Sequence, residues 1–362
     1  MRTSLLLIIT IVVLFISVPA QKLSKPTLLP ENPTTEQEKQ VVAGNVLHDA
    51  KRYDEALAIY DRLLVENPDL TVVMYEKSLT LYAKGDKTKA METAYEGAKY
   101  KSEQLPLFYV MMASCLDDVG KPDAALSVYR EAEAILRSDI GTQRFLSTVY
   151  YNIGLTYVRQ KKYAEARAEL KKAVENRPDY PSPHYLLSIV YNGTKYKVPA
   201  FLAAARFISL ELNTPRSKAV AVIIRDILKP NAKDPKTGNI TISLDFQAPT
   251  DEGEFGMYEL LMGTLTTFKD EKDKNKTEDE MFVSAVGTVI SLIAEDNKLS
   301  KTFVGKQYVP FVAELKKKGF SEVFGYTVLY LSGQQGAMKW LESHDAKLGE
   351  FAAWAKAYQV PK

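Results

Sequence analysis

The stretch Gly44–Pro68, GNVLHDAKRYDEALAIYDRLLVENP, and the stretch Gly154–Pro178, GLTYVRQKKYAEARAELKKAVENRP, decide how this chain folds. Gly44, Tyr53, Ala56, Tyr60 and Pro68 stand at the same mutual spacing as Gly154, Tyr163, Ala166, Leu170 and Pro178. Matched intervals in two remote segments mark a repeated unit. The residue types give that unit its shape. A small residue at Gly44 or Gly154 on a first helix lets a second helix approach closely, and Ala56 or Ala166 does the same from the other side. Tyr53, Tyr60 and Tyr163 fill the space around the crossing, and Pro68 or Pro178 ends the pair. Each unit reads as a helical hairpin.

Weaker copies lie outward from these two, at a period of roughly 34 residues. Gly85-Asp86 followed by Ala90 marks a second unit, near residues 71–104, and Gly120-Lys121 followed by Ala125 and Tyr129 a third, near 106–139. That third copy is displaced by one residue, and Ile140–Leu146 is an insertion before the fourth. A fifth, Pro181–Thr214, keeps Tyr191, Ala200 and Phe207 but has Ser188 for the first-helix glycine. It also has Pro199 near the start of its second helix, where a first turn tolerates it. Thr214-Pro215 then opens a helix whose Val220, Ile223, Ile224, Ile227 and Leu228 form an apolar stripe, a cap for the last hairpin. Upstream, Thr35-x-x-Glu38 reads as a capping box that starts the first helix. Gln21–Pro33, with three prolines, reads as a tether.

These hairpins resemble the tetratricopeptide repeat, whose helix-A small residue, helix-B alanine and terminal proline all stand in place. The resemblance implies a mainly α protein: a right-handed α-solenoid of about five repeats over residues 36–229, after a linker at 21–35. It further implies a concave face, lined by the first helices, that takes peptide segments. Carrying the groove positions over by register gives Asn45 and His48, Tyr75 and Tyr82, Asp117 and Asp118, Tyr151 and Arg159, and Tyr185. Tyrosine suits such a wall, because it offers a rigid apolar face and a hydroxyl at low entropic cost. The clamp that some repeat proteins use for a C-terminal carboxylate is not matched. Asn45 fits it, but Leu79 occupies the next position and Asp117-Asp118 would repel an anion.

After Pro230 the pattern changes. Asn231–Asn239 is polar, and residues 230–362 read as a mostly helical domain with a small β element. Ile240, Ile242, Leu244 and Phe246 alternate with polar residues as a half-buried strand does. A lone strand needs a partner, sought near Thr302–Val309 or in a second chain. Helices are expected at Met257–Phe268, Met281–Ala294, Tyr308–Lys318, Ser321–Leu331, Gln335–Glu342 and Ala346–Tyr358, with a charge-dense loop at Lys269–Glu280.

At the N-terminus, Arg2, the uncharged run Leu5–Val18 and the small residues before Gln21 read as a signal peptide over residues 1–20. The expected location is periplasmic or secreted, with an uncleaved N-terminal anchor as the alternative; no later segment reads as a membrane span. The 47 basic and 45 acidic residues nearly cancel, which argues against nucleic acid as a partner. Cys115 stands alone, so no intramolecular disulfide forms, and it reads as a buried apolar side chain. His48, His184 and His344 lack metal-ligand spacing and read as surface or groove side chains. Asp251, Glu252 and Glu254 read as helix-start charges, and the Lys269–Glu280 loop fits no calcium-loop frame. No cofactor and no catalytic set is expected. Asn192, Asn239 and Asn275 begin glycosylation sequons. The expected function is an exported, non-enzymatic scaffold for a protein or peptide partner. The alternatives are an enzyme acting on polypeptide through its C-terminal domain and a self-associating envelope subunit.

Overall fold

A computed structural model describes residues 23, 25–138, 143–230, 236–237, 250–268, 271–296, 299 and 301–361. The described residues are helical and contain no strand. Five hairpins follow one another: α1 (Thr35–Asp49) with α2 (Tyr53–Glu66), α3 (Thr71–Lys84) with α4 (Lys87–Gly97), and α5 (Leu105–Asp118) with α6 (Pro122–Arg137). Next come α7 (Leu146–Arg159) with α8 (Tyr163–Asn176), α9 (Pro181–Gly193) with α10 (Lys197–Leu210), and then α11 (Pro215–Ile227).

One turn geometry recurs inside the hairpins. Each turn needs a left-handed residue just past the first helix: Gly85 and Gly120 supply it in the second and third, and Lys51, Lys161 and Lys195 in the first, fourth and fifth. The next amide reaches back five residues in every case: Arg52 to Leu47 O, Asp86 to Leu81 O, Lys121 to Leu116 O, Lys162 to Tyr157 O and Tyr196 to Tyr191 O. Those bonds satisfy carbonyls that the helix end leaves unpaired. The small-residue reading also holds at the crossings. A Cβ on Gly44 would lie 2.5 Å from Tyr60 Cε1, and one on Gly154 2.7 Å from Leu170 Cγ. Tyr60, Leu170, Ala56 and Ala166 are fully buried. Tyr163 departs from expectation: it opens α8 at the rim of its hairpin and stays 39% exposed.

Contacts divide the chain into two compact units, residues 1–132 and 133–362. In the first, helix α1 starts one residue earlier than expected, because Thr34 and Gln37 form the capping box. The described part of the expected tether is held at several points. Leu23 N–H donates to Glu131 Oε2 (2.8 Å), Thr27 and Leu28 N–H to Lys99 O (3.0 and 3.1 Å), and Glu31 N–H to Asp69 O (3.1 Å). Lys101 N–H donates to Leu28 O (2.9 Å) and Asn67 Nδ2 to Glu31 Oε2 (2.7 Å).

In the second unit, one apolar core runs from Leu170 through Phe207 and Ile224 to Phe311, Phe324 and Phe351. It joins the last hairpins to α12 (Gly256–Thr264), α13 (Glu278–Ala294), α14 (Phe303–Gln307), α15 (Val309–Lys317), α16 (Ser321–Leu331), α17 (Gln335–Ser343) and α18 (Asp345–Ala357). The expected cap α11 is therefore itself covered, with Val220, Ala221, Ile224 and Ile227 buried and α16 packed on it. The expected strand Ile240–Phe246 lies outside the described residues. Its suggested partner around Thr302–Val309 is instead helical, because the Thr302 hydroxyl accepts from Gly305 N–H and starts α14.

Two further expectations are corrected here. His184 is buried: its Nε2 lies 3.0 Å from Pro178 O and its Nδ1 3.0 Å from the Tyr308 hydroxyl. Asp251 and Glu252 do more than charge a helix start. Asp251 accepts from Arg167 Nη2 (3.0 Å), and buried Glu252 accepts from Lys171 Nζ (2.9 Å), fastening this segment to α8. Buried Arg206 donates to Ala355 O and Tyr358 O at 3.4 Å, placing a cation at the carbonyl end of α18, where the helix dipole favours it.

Candidate functional site

In the first unit, the first-helix positions lie on α1, α3 and α5. Asn45 is already engaged: the Tyr60 hydroxyl donates to its Oδ1 at 2.6 Å. His48 Nδ1 lies 2.8 Å from the Thr80 hydroxyl, and the ring meets Tyr53 edge-on. Tyr75 is half-buried with its edge against Phe108, centroids 6.1 Å apart. Tyr82 and Asp118 are brought together, the phenol donating to Asp118 Oδ2. Lys87 Nζ sits 3.1 Å from the Tyr82 ring centroid and 3.4 Å from Asp118 Oδ2. That ammonium neutralises Asp118, so the repulsion of anions expected there is offset. Asp117 lies in the last turn of α5, half-buried.

Sequence register missed the charge that colours this face. Glu76, on α3 next to Tyr75, is half-buried, and loss of solvent together with Asp49 raises its carboxyl above the usual range. Burial and the Glu76 charge also raise the Tyr75 phenol and push Tyr60 up to about 12. Asp49, Tyr75 and Glu76 thus form one acidic patch beside His48, next to the buried Tyr60 phenol. The missed signal was spacing: Asp49 and Glu76 each sit one residue beyond a position chosen by register.

A half-buried carboxylate without a cation destabilises the folded state, because the unfolded chain ionises more easily. Glu76→Gln is expected to raise the unfolding midpoint of the first unit at pH 7. The gain should fade as the pH falls toward 4.5 and be gone below it, where the carboxyl is protonated in both states. Cys115 reports this unit, since its buried thiol becomes reactive on unfolding. Burial pushes that thiol up to about 12, which keeps it inert while folded.

In the second unit, Tyr151 on α7 packs edge-on against Tyr180, centroids 5.8 Å apart, and Tyr185 on α9 tilts against Phe207 at 5.3 Å. Arg216, from α11, lies 5.3 Å over the Tyr185 ring and donates to Ser182 Oγ (3.0 Å) while paired with Glu211. Burial and Tyr180 raise the Tyr151 phenol against the opposing pull of Arg216 and Arg159. Arg159 is exposed at the end of α7. Tyr151, Arg159 and Tyr185 therefore share one neighbourhood, and Tyr180 and Arg216 complete it. Sequence reading could not assign those two, since Tyr180 lies in a turn and Arg216 in a helix read only as a cap. The C-terminal helices pack mainly on α8, α10 and α11, the last hairpins' second helices and the cap. No helix among the described residues is long and apolar enough to cross a membrane.

Family models described as tetratricopeptide repeat match residues 42–106 and 106–179. A curated relative, the BBSome complex member BBS4 homolog of Drosophila melanogaster, is 26% identical over 161 residues, which are 44% of this chain. The match spans only 32% of that relative's length. Among solved structures, the thermophilic TPR protein TTC0263 of Thermus thermophilus is 20% identical, covering 52% of this chain and 98% of that one with a TM-score of 0.43. Pseudomonas aeruginosa pilF is 15% identical, covering 53% and 83% with a TM-score of 0.43. With the recurrent hairpin turn, the small-residue crossings and the two matched family models in agreement, residues 42–179 are tetratricopeptide repeats, and the chain is a tetratricopeptide-repeat protein.

Proposed function

We propose that this protein is an exported, non-enzymatic scaffold that holds an extended segment of another protein against the first helices of its repeats. The observation that carries the reading is the pair of tyrosine walls, Tyr75 with Glu76 and Tyr151 with Tyr185. Both are half-buried, and the second is left accessible because the C-terminal helices pack mainly on other helices. Rigid aromatic anchors flanked by charge are the usual carriers of binding energy in such surfaces. The acidic patch of Asp49 and Glu76 favours a guest with a lysine or arginine there, since a cation would relieve the carboxylates' mutual repulsion. Export rests on the charge, apolar run and small residues of positions 2–20, which place a cut before Gln21.

Randomised extended peptides arrayed on a surface test the binding reading. The wild-type chain should select basic, aromatic-containing peptides. Tyr75→Ala with Tyr151→Ala should weaken that binding at least tenfold, about 1.4 kcal/mol or more, with helicity retained. Binding unchanged in the double variant would refute the groove. Mass spectrometry of the protein from its native compartment tests export, since the reading requires a chain that starts at Gln21.

A further inference from the structure

A second surface lies in the first unit, and none of the tyrosine-wall residues lines it. Between α4, α5 and α6 a pocket of about 590 Å³ opens, its apolar floor made by Met91, Met112, Leu116 and Val128. Glu92, Glu96 and Glu131 supply carboxylates to its lining, with Lys121 in the lining and Lys99 paired with Glu96 at 2.6 Å. Leu23 lines one side of this pocket, and its backbone N–H donates to Glu131 Oε2 at 2.8 Å.

Leu23 arrives there as the end of an extended strap. Residues 25–33 cross the ends of α2 and α4, and Leu28 pairs with Tyr100 in a parallel β-bridge flanked by bonds to Lys99 and Lys101. Glu31 is held by Asn67 and Asp69. Main-chain pairing plus one apolar side chain at the wall of a pocket resembles the way an extended peptide ligand binds by β-augmentation. Charges agree as well, since the strap carries Lys25 and the pocket lining is mostly acidic.

We propose that this slot is a peptide-binding site partly filled in cis by the chain's own Leu23 and residues 25–33, with Leu23 at its wall as the anchor and Glu131 as the acceptor of its amide hydrogen bond. The strap is a removable occupant. A free peptide of the same chemistry competes for the slot only when the anchor is lost, because a tethered occupant acts at an effective concentration of about millimolar.

The probe is a labelled synthetic peptide of residues 21–33, QKLSKPTLLPENP, titrated against the full chain. It should bind the full-length Leu23→Asp variant at least tenfold more tightly than wild type. A peptide carrying the same Leu23→Asp change, or a Val128→Asp substitution in the receiving chain, should abolish that binding. Raised salt should weaken it, because the attraction is partly between exposed charges. Equal binding to both chains, or none to a Leu23→Asp chain whose Cys115 stays protected, would overturn the proposal. Hydrogen exchange gives a second measure in case the variant folds poorly. The Thr27, Leu28 and Lys101 amides of a Glu131→Ala chain should exchange several-fold faster than wild type, and equal rates would equally overturn it.

Discussion

Lowering the pH from 7 to 5 should destabilise the unit of residues 133–362 by about 2 kcal/mol through His184 alone. The Pro178 carbonyl can only accept, so His184 Nε2 carries a proton. Nδ1 then accepts from the Tyr308 hydroxyl, and the ring is neutral. Burial, with the nearby Arg206 charge, pushes its pKa down to about 3 from 6.5. The folded value lies below the unfolded one, so the unfolded chain takes up the proton first as the pH falls. The stabilisation is complete above about pH 6.5 and is lost progressively toward pH 3, at about 1.4 kcal/mol per unit.

Trp340 and Trp354 both lie in this unit, so their fluorescence during urea unfolding reads the effect. His184→Gln should be less stable at pH 7 by about 1–3 kcal/mol, the consequence of broken buried hydrogen bonds. Its midpoint should nevertheless fall much less between pH 7 and 5 than that of wild type. Equal losses in the two proteins would show that other groups govern the acid response.

The second large effect belongs to the first unit. Gly97→Val should destabilise it by about 3 kcal/mol. A Cβ at Gly97 would stand 2.2 Å from Phe108 Cζ, with further ring atoms at 2.4 and 2.6 Å. Phe108 is fully buried and also meets Tyr75, so the ring has little room to retreat. An alanine would regain about 1 kcal/mol of helix propensity, which is why valine is the more decisive change. Faster reaction of the Cys115 thiol at fixed denaturant, with Trp fluorescence unchanged, would localise the effect. A valine variant as protected as wild type would mean that the α4–α5 crossing opens easily. That crossing supports Tyr75, so the same variant should also lower peptide binding.

Much of this protein was legible before any coordinates. The hairpins follow from local rules, because a small residue, an alanine and a proline at set spacing permit only one close crossing and one exit. Ser188 and Pro199 did not break the fifth hairpin, since serine is small enough to stay buried in α9 and proline fits the first turn of α10. Most C-terminal helices also began and ended near their expected positions, as apolar periodicity dictates.

What tertiary structure alone decided are contacts between residues far apart in sequence. His184 was read as a surface or groove residue, yet Tyr308 and the C-terminal helices bury it. The tether became a strap, because its backbone groups find partners at Lys99 and Glu131 that no local pattern announces. Register puts Asn45 and Asp118 on the groove, and only the tertiary structure adds their hydrogen bonds from Tyr60 and Tyr82. Periodicity determines which face of a helix turns inward, since that depends on neighbours three or four residues away. Which side chain meets which, and whether a charge is paired or left to a guest, depends on elements brought together only when the chain has closed on itself.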